Sequence, residues 1–451
     1  MQPEDHAADG RRPRRRPRRR PLTLDEIVQA GLCIGCGLCQ SLAGPDRVAL
    51  VRTTEGRERP IVRRELDHAT LELINDVCPG VRVDGADLGR VPAGAAVDRI
   101  WGPAARLAIT HATDPELRYV AASGGVLTAL AEHLLNSGEV EFVVHVAPRL
   151  QEPMRSGPHV SIDRSQLLRA AGSRYGPAAP LIDFCEVLER GRPFAFIGKP
   201  CDVTAIRSLA RHDPRVDAHL RCALTMVCGG ASELIKSRAL LTGFGVDERE
   251  LRTFRYRGHG NPGLTHLETV DGDVHELTYN EMWEDEGTWR LQSRCKICPD
   301  ALGEGADLVA ADCWEDAEPT GEDEGFNAVL VRTNAGLEIF DAAVRDGMLT
   351  VDREIGFRDM DRFQPHQVVK KESVWARLIG MRVAGSPVLR TRGLRLRTLA
   401  LRRSPIELAR EAHAAYRRVG ARRLSEGPPV PERGSVRDSL VPTGSDPRGP
   451  R

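Results

Sequence analysis

Eleven cysteines stand in this chain of 451 residues, and eight of them fall into two sets whose spacing suits metal. Cys33-Ile34-Gly35-Cys36-Gly37-Leu38-Cys39 has the C-x2-C-x2-C spacing of a bacterial ferredoxin loop. Three thiolates on one turn, with Gly35 and Gly37 letting the backbone curl so that its N–H groups face the sulfurs, suit a cubane 4Fe-4S cluster. Zinc normally takes only two cysteines from such a knuckle. Cys78, followed directly by Pro79, has the form of the missing fourth ligand, so the stretch from Gly44 to Asp76 must loop back. Ordinary buried thiols are the competing account of these four. The second set is dispersed: Cys201 in Gly198-Lys199-Pro200-Cys201, Cys228 before Gly229-Gly230, and Cys295-Lys296-Ile297-Cys298-Pro299-Asp300. Cys201 follows one expected strand and Cys228 ends the next, and the carboxyl ends of neighbouring parallel strands are where α/β sheets assemble sites. With the Cys295/Cys298 pair they make four ligands, fit for a second 4Fe-4S cluster or for zinc. Cys185 and Cys222 lie among apolar residues and read as core thiols, and Cys313 has no assigned role.

Three further places could bind an anion or an organic cofactor. Ser123-Gly124-Gly125 directly precedes an amphipathic helix, whose free N–H groups and positive dipole end suit a dinucleotide pyrophosphate, although a plain N-cap has the same sequence. Tyr256-Arg257-Gly258-His259-Gly260-Asn261-Pro262-Gly263 packs an arginine, a histidine and a tyrosine among glycines and a proline; a surface turn would look alike. Asp312 and Trp314 close an apolar strand, where a ligand contact, or a capping Asp and a packed Trp, would stand. No Gly-x-Gly-x-x-Gly follows an expected strand, and there is no Walker A loop or nucleophile elbow.

The elements that must hold these residues alternate in type. Val140–Val146, Pro193–Ile197 and Cys222–Val227 read as strands, and Leu181–Glu189, Val203–Ala210 and Glu233–Leu241 as helices, which implies a parallel sheet in an α/β core. Residues 251–279 read as a small antiparallel insert, Asp307–Ala311 and Ala328–Val331 as further strands, and Leu337–Val344 as a helix. The expected organisation is a basic disordered tail (1–21), a ferredoxin-like segment (22–100), a catalytic core (101–380), a basic helical segment (381–427) and a Pro/Gly/Ser-rich disordered tail (428–451).

Hydrophobic residues make up 41% of the chain, enough for a buried core, and Lys plus Arg balance Asp plus Glu at 64 each, so no overall basic footprint for nucleic acid exists. Charge is nonetheless uneven: Arg11–Arg20 holds eight arginines, and Arg390–Arg423 holds eleven against two acidic residues. The latter stretch, with Leu394, Leu396, Leu399, Leu401, Leu408 and Tyr416, reads either as a solvated helix or as a segment that docks on an acidic partner or anionic membrane surface. No apolar run is long enough to span a membrane, and the stretch after the early arginines is too short and charged for the core of an export signal, so the expectation is a cytoplasmic protein. A disulfide framework does not belong in that compartment, which again turns the cysteines towards metal.

Taken in order, Ser-Gly-Gly-Val at 123, Gly-Lys-Pro-Cys at 198, Val-Cys-Gly-Gly at 227, Tyr-Arg-Gly-x-Gly-x-Pro-Gly at 256, Cys-x-x-Cys-Pro-Asp at 295 and Ala-Asp-Cys-Trp at 311 resemble the beta-subunit family of coenzyme F420 hydrogenases and dehydrogenases. Gln364-Pro365-His366 and Val374-Trp375 resemble its C-terminal portion, so that the likeness covers residues 25–380. The same family includes 7-hydroxymethyl chlorophyll a reductase and a ferredoxin-dependent divinyl reductase. The resemblance implies FAD, an α/β flavin domain, and a cluster held by Cys201, Cys228, Cys295 and Cys298, while the front segment with Cys33, Cys36, Cys39 and Cys78 is similar to that of the two-cluster members. It further implies that Ser123, Gly124, Gly125, Lys199, Arg257, Gly260, Asn261 and Asp312 contact the cofactor, with Lys199 and Arg257 holding a phosphate or carboxylate of FAD or substrate. Lys199 departs from the family's usual Gly-Thr-Pro-Cys or Gly-Leu-Pro-Cys, and Cys313 from its Gly-Asp-x-Trp.

The expected function is therefore an iron-sulfur flavoprotein oxidoreductase, with FAD and two 4Fe-4S clusters, that exchanges hydride with the deazaflavin coenzyme F420 and passes single electrons onward, with a redox partner subunit. A ferredoxin-dependent FAD reductase of an unsaturated or hydroxymethyl organic substrate is the alternative within enzymes. A zinc-stabilised nucleic-acid-binding protein is the alternative outside them; neither arginine run adjoins a helix that reads nucleic acid, and no nucleic acid is expected as partner.

Overall fold

The structure, a computed structural model, describes residues 20–283, 290–319 and 321–436. Its centre is an eight-stranded sheet built from β1 (Arg106–Ala112), β2 (Phe142–Pro148), β3 (Ser156–Ser161), β4 (Phe194–Gly198), β5 (Leu220–Met226), β6 (Leu308–Asp312), β7 (Asn327–Val331) and β8 (Leu349–Glu354). The spatial order is β8-β1-β7-β6-β5-β4-β2-β3. The inner strands β2, β4, β5 and β6 are parallel, with Phe142 beside Phe194, Leu224 beside Ile197 and Thr225 beside Val309. They read as continuous apolar runs because both faces are covered. On one face Phe194 and Phe196 meet Phe184, Val203 and Ile206, the last two from helix α2 (Pro200–Leu209). On the other, Ala195 and Leu224 meet Leu130 of α1 (Val126–Asn136) and Phe340 of α3 (Asn334–Arg345).

The expected parallel sheet holds only for those inner strands. β6 pairs with β7, β7 with β1, β1 with β8, and β2 with β3 antiparallel. A connection of residues 313–326 returns the chain from β6 directly to its neighbour, so no crossover helix intervenes and the direction must reverse. The insert is antiparallel as read from the sequence, with Leu251–Arg255, Thr265–Thr269 and Val274–Leu277 in one small sheet.

In the front segment, a hairpin of Val48–Thr53 and Glu58–Val62 and the helix His68–Val77 carry the chain back so that Cys78 caps that helix beside the first cysteine loop. The core of this segment is not made by the segment alone. Leu24, Ile27, Leu32 and Ile74 pack with Val374 and Met381 of α4 (Pro365–Val383), with Leu394 and Leu396, with Ala415 of α5 (Pro405–Gly420), and with Leu424. Leu394, Leu396 and Leu399 of the basic stretch are thus inside the protein, while Leu401 is exposed and Leu408 half-buried, so the stretch packs through one side and keeps the other in solvent. The two long helices touch where Gly380 lies: a Cβ there would overlap the Ala412 carbonyl oxygen. Gly380→Ala is therefore expected to push α5 off α4 and to destabilise the fold by about 1–3 kcal/mol, measurable as a lower urea midpoint with unchanged slope.

Of the two tails expected to lack structure, residues 1–19 and 437–451 lie outside the described residues. Residues 431–436, which fell within the second tail, instead form a strand antiparallel to Val48–Thr53. Composition argued against a packed core there, but an edge strand needs only backbone groups to pair with. Glu432 adds ion pairs to Arg155 and Arg238.

Candidate functional site

The parallel strands β2, β4, β5 and β6 all end on one side of the sheet, and their ends border a cavity of about 370 Å³. Val146, Gly198, Met226 and Asp312 line it, as do the turn at Ser123 and Gly125 and the first turn of α1 through Thr128. This is the position where α/β sheets bind ligands, and the volume is that of a cofactor pocket. Asn327 and Ser123 fix the turn: Ser123 Oγ donates to Phe326 O (2.7 Å), Asn327 Nδ2 donates to Ser123 Oγ (3.2 Å), and the Val126 N–H donates to Asn327 Oδ1 (3.3 Å). Gly124 does not line the cavity; it lies against Phe326 and Asn327, where a Cβ would meet backbone at 2.7 Å.

Both cations expected to hold an anion line the cavity, but each is already paired within the chain. Arg257 is 3% exposed; it donates from NH1 to Asp312 Oδ2 (2.9 Å), from NH2 to Ala122 O (2.5 Å), and from NH1 to Tyr175 Oη (3.3 Å). Burial alone would discharge it, but Asp312 and the Tyr175 oxygen outweigh burial and hold its pKa above that of a free guanidinium. Its plane lies over the rings of Trp314 (4.8 Å) and Tyr279 (5.3 Å), so the arginine organises an aromatic wall. Arg257 therefore shapes the cavity rather than offering it a free charge. Lys199 Nζ stands 2.7 Å from Asp202 Oδ2, and Asp202 is fully buried with its other oxygen, Oδ1, lacking a protein partner. Gly260 and Asn261 are not in the cavity wall: the Gly260 N–H donates to Tyr119 O (3.0 Å), and Asn261 accepts from the Asp323 N–H (2.8 Å) and donates to Asp323 Oδ1 (2.5 Å). Asn261 ties the loop of the antiparallel insert to Asp323, and Gly260 ties it to Tyr119.

Sequence reasoning missed His145, Tyr279 and Tyr175, which also face the cavity. A histidine amid the apolar run Phe142-Val143-Val144 was the available signal, since a polar residue buried in an inner strand needs a partner. Ser161 supplies it, with 2.7 Å between its Oγ and His145 Nε2. Burial, followed by nearby His159, depresses the His145 pKa to about 3, so this imidazole is neutral at physiological pH. Gln364 and His366, at the start of α4, complete the wall, with Gln364 Nε2 donating to Asp312 O (2.8 Å).

Two smaller cavities hold the cysteines. Cys33, Cys36, Cys39 and Cys78 border one, and Cys201, Cys228, Cys295 and Cys298 border the other. Gly35 and Gly37 have φ of 70° and 90°, the left-handed turns that the first loop requires, and the Gly35 N–H points at Cys33 Sγ (3.4 Å). In the second set the Ala231 N–H points at Cys295 Sγ (3.3 Å). Burial, reinforced by neighbouring thiols, raises the Cys78 pKa to about 11 and the Cys228 pKa to about 12, and burial raises Cys33, Cys36, Cys39 and Cys201 as well. Such thiols stay protonated unless an electropositive centre binds them. No three His, Cys, Asp or Glu side chains among the described residues are arranged to hold a single metal ion. The leftover Cys222 is buried, Cys185 is half-buried, and Cys313 lies beside Asp312 outside the cavity wall.

The three cavities adjoin. Lys199, Cys228, Gly230 and Ala231 belong to both the large cavity and the second cysteine cavity, and Ile34, between Cys33 and Cys36, borders both cysteine cavities. Arg294 of the second set donates from Nε to Pro79 O (3.1 Å), joining it to the loop of Cys78.

Residues 108–186 match the family described as coenzyme F420 hydrogenase/dehydrogenase, beta subunit N-term, and residues 191–355 match its C terminus. The coenzyme F420 hydrogenase subunit beta of Methanosarcina barkeri is 23% identical over 253 residues, covering 53% of this chain and 78% of that one. The coenzyme F420-dependent sulfite reductase of Methanocaldococcus jannaschii is 23% identical over 339 residues, covering 71% of this chain; the chain spans only 47% of that protein's length. In fold the chain resembles a chain of the F420-reducing [NiFe] hydrogenase complex from Methanosarcina barkeri, with a TM-score of 0.51 and 20% identity over 65% of this chain and 98% of the other.

Proposed function

Because the chain belongs to the coenzyme F420 hydrogenase/dehydrogenase beta-subunit family, and so to a class of oxidoreductases, we propose that it is an iron-sulfur flavoprotein that couples hydride exchange with coenzyme F420 to single-electron transfer. The observation that carries this reading is the adjacency of the three cavities, one large and partly aromatic, then two bordered by four cysteines each. FAD bound in the large cavity would supply two-electron chemistry towards an organic molecule and one-electron chemistry towards metal clusters. The turn at Ser123 and Gly125 and the first backbone N–H groups of α1 would hold its pyrophosphate, and Lys199 would stand between flavin and the nearer cysteine set.

The cysteine donors fit 4Fe-4S clusters. Four half-buried thiols border each of the two cavities, and a cubane takes one thiolate at each of four irons. Trp314, Tyr279 and Arg257 would offer a flat wall to a conjugated substrate, and neutral His145 would keep the buried wall uncharged. No helix among the described residues is long and apolar enough to cross a membrane, and the beta-subunit relatives fit a chain that works with a partner subunit.

Iron and flavin content of the reconstituted full-length protein tests the proposal. About eight irons and one flavin per chain are expected from two cubanes; one zinc and no flavin would end the reading. Anaerobic reduction by reduced coenzyme F420 and, separately, by reduced ferredoxin then shows which donor the site accepts.

A further inference from the structure

The fold buries Leu394, Leu396, Leu399 and Leu424 of the basic C-terminal segment but leaves several of its charges unused. Arg402, Arg403 and Arg377 pair with Glu372, Glu407 and Glu411. Arg422 and Arg423 are exposed and Arg418 is half-buried, and among the described residues none of the three forms an ion pair. These cations do not lie on an arbitrary surface. The Arg423 carbonyl accepts from Lys296 Nζ and from Ser293 Oγ, each at 3.4 Å, and Arg377 NH1 donates to Lys296 O (2.9 Å), so the segment lies over the turn that carries Cys295 and Cys298. The next carbonyl, of Leu424, presses on Gly31, two residues before Cys33. Lys296 has no carboxylate in ion-pair contact among the described residues. Arg57 is ion-paired with Glu233 and Glu426; among the described residues Lys296, Arg418 and Arg423 form no ion pair, although Glu411 lies within the field of Arg418.

We propose that Lys296, Arg418, Arg422 and Arg423 form the docking face for a small acidic one-electron carrier protein, which exchanges electrons with the front metal site of Cys33, Cys36, Cys39 and Cys78, adjoining the turn of Cys295 and Cys298. The inference rests on reading that site as an iron-sulfur cluster. Charge complementarity chooses the partner: a patch of unpaired cations attracts an acidic surface and speeds its encounter. Placement chooses its role, because the patch covers the cysteine turns and not the substrate cavity. Leu394, Leu396, Leu399 and Leu424 point into the protein, whereas Leu401, Ile406 and Tyr416 stay exposed, so the vesicle arm of the test below separates a bilayer contact from carrier docking. Each carrier gives up one electron, so two reduced carriers are oxidised, and two protons taken from water, for every organic substrate reduced by two electrons.

The test compares the reconstituted full-length protein with its Arg418→Glu/Arg422→Glu/Arg423→Glu variant, using an acidic ferredoxin as carrier and methyl viologen as a small cationic donor that needs no docking face. Arg190→Glu/Arg192→Glu/Arg221→Glu, an equal charge change at the amino ends of β4 and β5, is the control. The patch variant is expected to bind ferredoxin roughly tenfold or more weaker at low salt and to lose most of the salt dependence of its reduction rate. Iron content, flavin absorbance and the methyl viologen rate should stay at the parent level. Equal weakening in both variants, or ferredoxin binding and rates unchanged in the patch variant, would overturn the docking face even while methyl viologen reduction upholds the electron path. So would a patch variant that loses only its retention on anionic vesicles or duplex DNA. Patch-dependent ferredoxin binding in a protein that methyl viologen cannot reduce would instead remove the redox reading and, with it, the carrier's proposed role.

Discussion

Arg257→Ala is expected to destabilise the protein by about 3–5 kcal/mol, because it leaves a largely buried carboxylate without its cation. Asp312 would lose both guanidinium bonds, the Ala122 carbonyl its donor, and the Trp314 and Tyr279 rings the cation they flank. Asp312→Asn should be costly for the complementary reason, with Arg257 buried and unneutralised. Arg257→Lys keeps the charge but has no planar fork for two carboxylate oxygens and a carbonyl, so it should fall between wild type and alanine. Urea unfolding of the three variants, with flavin absorbance after gel filtration, measures both the stability and the integrity of the cavity. A loss below about 1 kcal/mol would mean that the pair behaves as a surface salt bridge and that the aromatic wall stands without it.

The second large effect separates the two cysteine sets. Cys201 and Cys228 extend from the ends of β4 and β5, and Cys228 also borders the large cavity, so the loss of a ligand there disturbs the centre of the sheet. Cys298→Ala is expected to lose soluble yield and flavin together, since metal binding at such a place is part of folding. Cys36 sits on a loop whose neighbours belong to the front segment and to the turn before Phe184. Cys36→Ala should therefore retain flavin and its reduction by a two-electron donor, while turnover with a one-electron acceptor falls to background. Stopped-flow reduction followed by acceptor turnover distinguishes these steps. Acceptor reduction at the parent rate in Cys36→Ala would take the front set off the electron path.

Much of this site could be read from short-range pattern, because its cysteines stand in rigid local motifs. The left-handed glycines at positions 35 and 37, the Cys78-Pro79 pair and the strand-to-helix step at Lys199-Pro200-Cys201 are all set by a few adjacent residues. The inner strands were equally legible as apolar runs between turns. What was not legible depends on partners distant in sequence. The direction of β7 is set by the connection from β6 and not by its own residues, and a strand at 431–436 exists because Val48–Thr53 presents it an edge. Arg257 looked like an anion binder from its glycine-rich setting, but Asp312, 55 residues away, had claimed its charge. Gly260 and Asn261 share the motif with Arg257 and still face residues 322–325, since neighbours in a loop point in different directions.

The shared core of the front segment also sets an order in time. The first cysteines made on the ribosome lie at residues 33–39, but the side chains that close the core behind them come from Val374, Met381, Leu394, Ala415 and Leu424. Chains generally acquire structure from the amino end as they emerge; here the front loop must wait for the residues up to Leu424. Until then its thiols remain on an unfinished surface, open to oxygen and to premature metal. A nascent chain arrested near residue 370 should consequently show fully alkylatable cysteines at 33, 36 and 39, and protection should arrive in one step once α5 has cleared the tunnel. The last helix is thus a seal on the first loop, and synthesis itself is the clock that applies it.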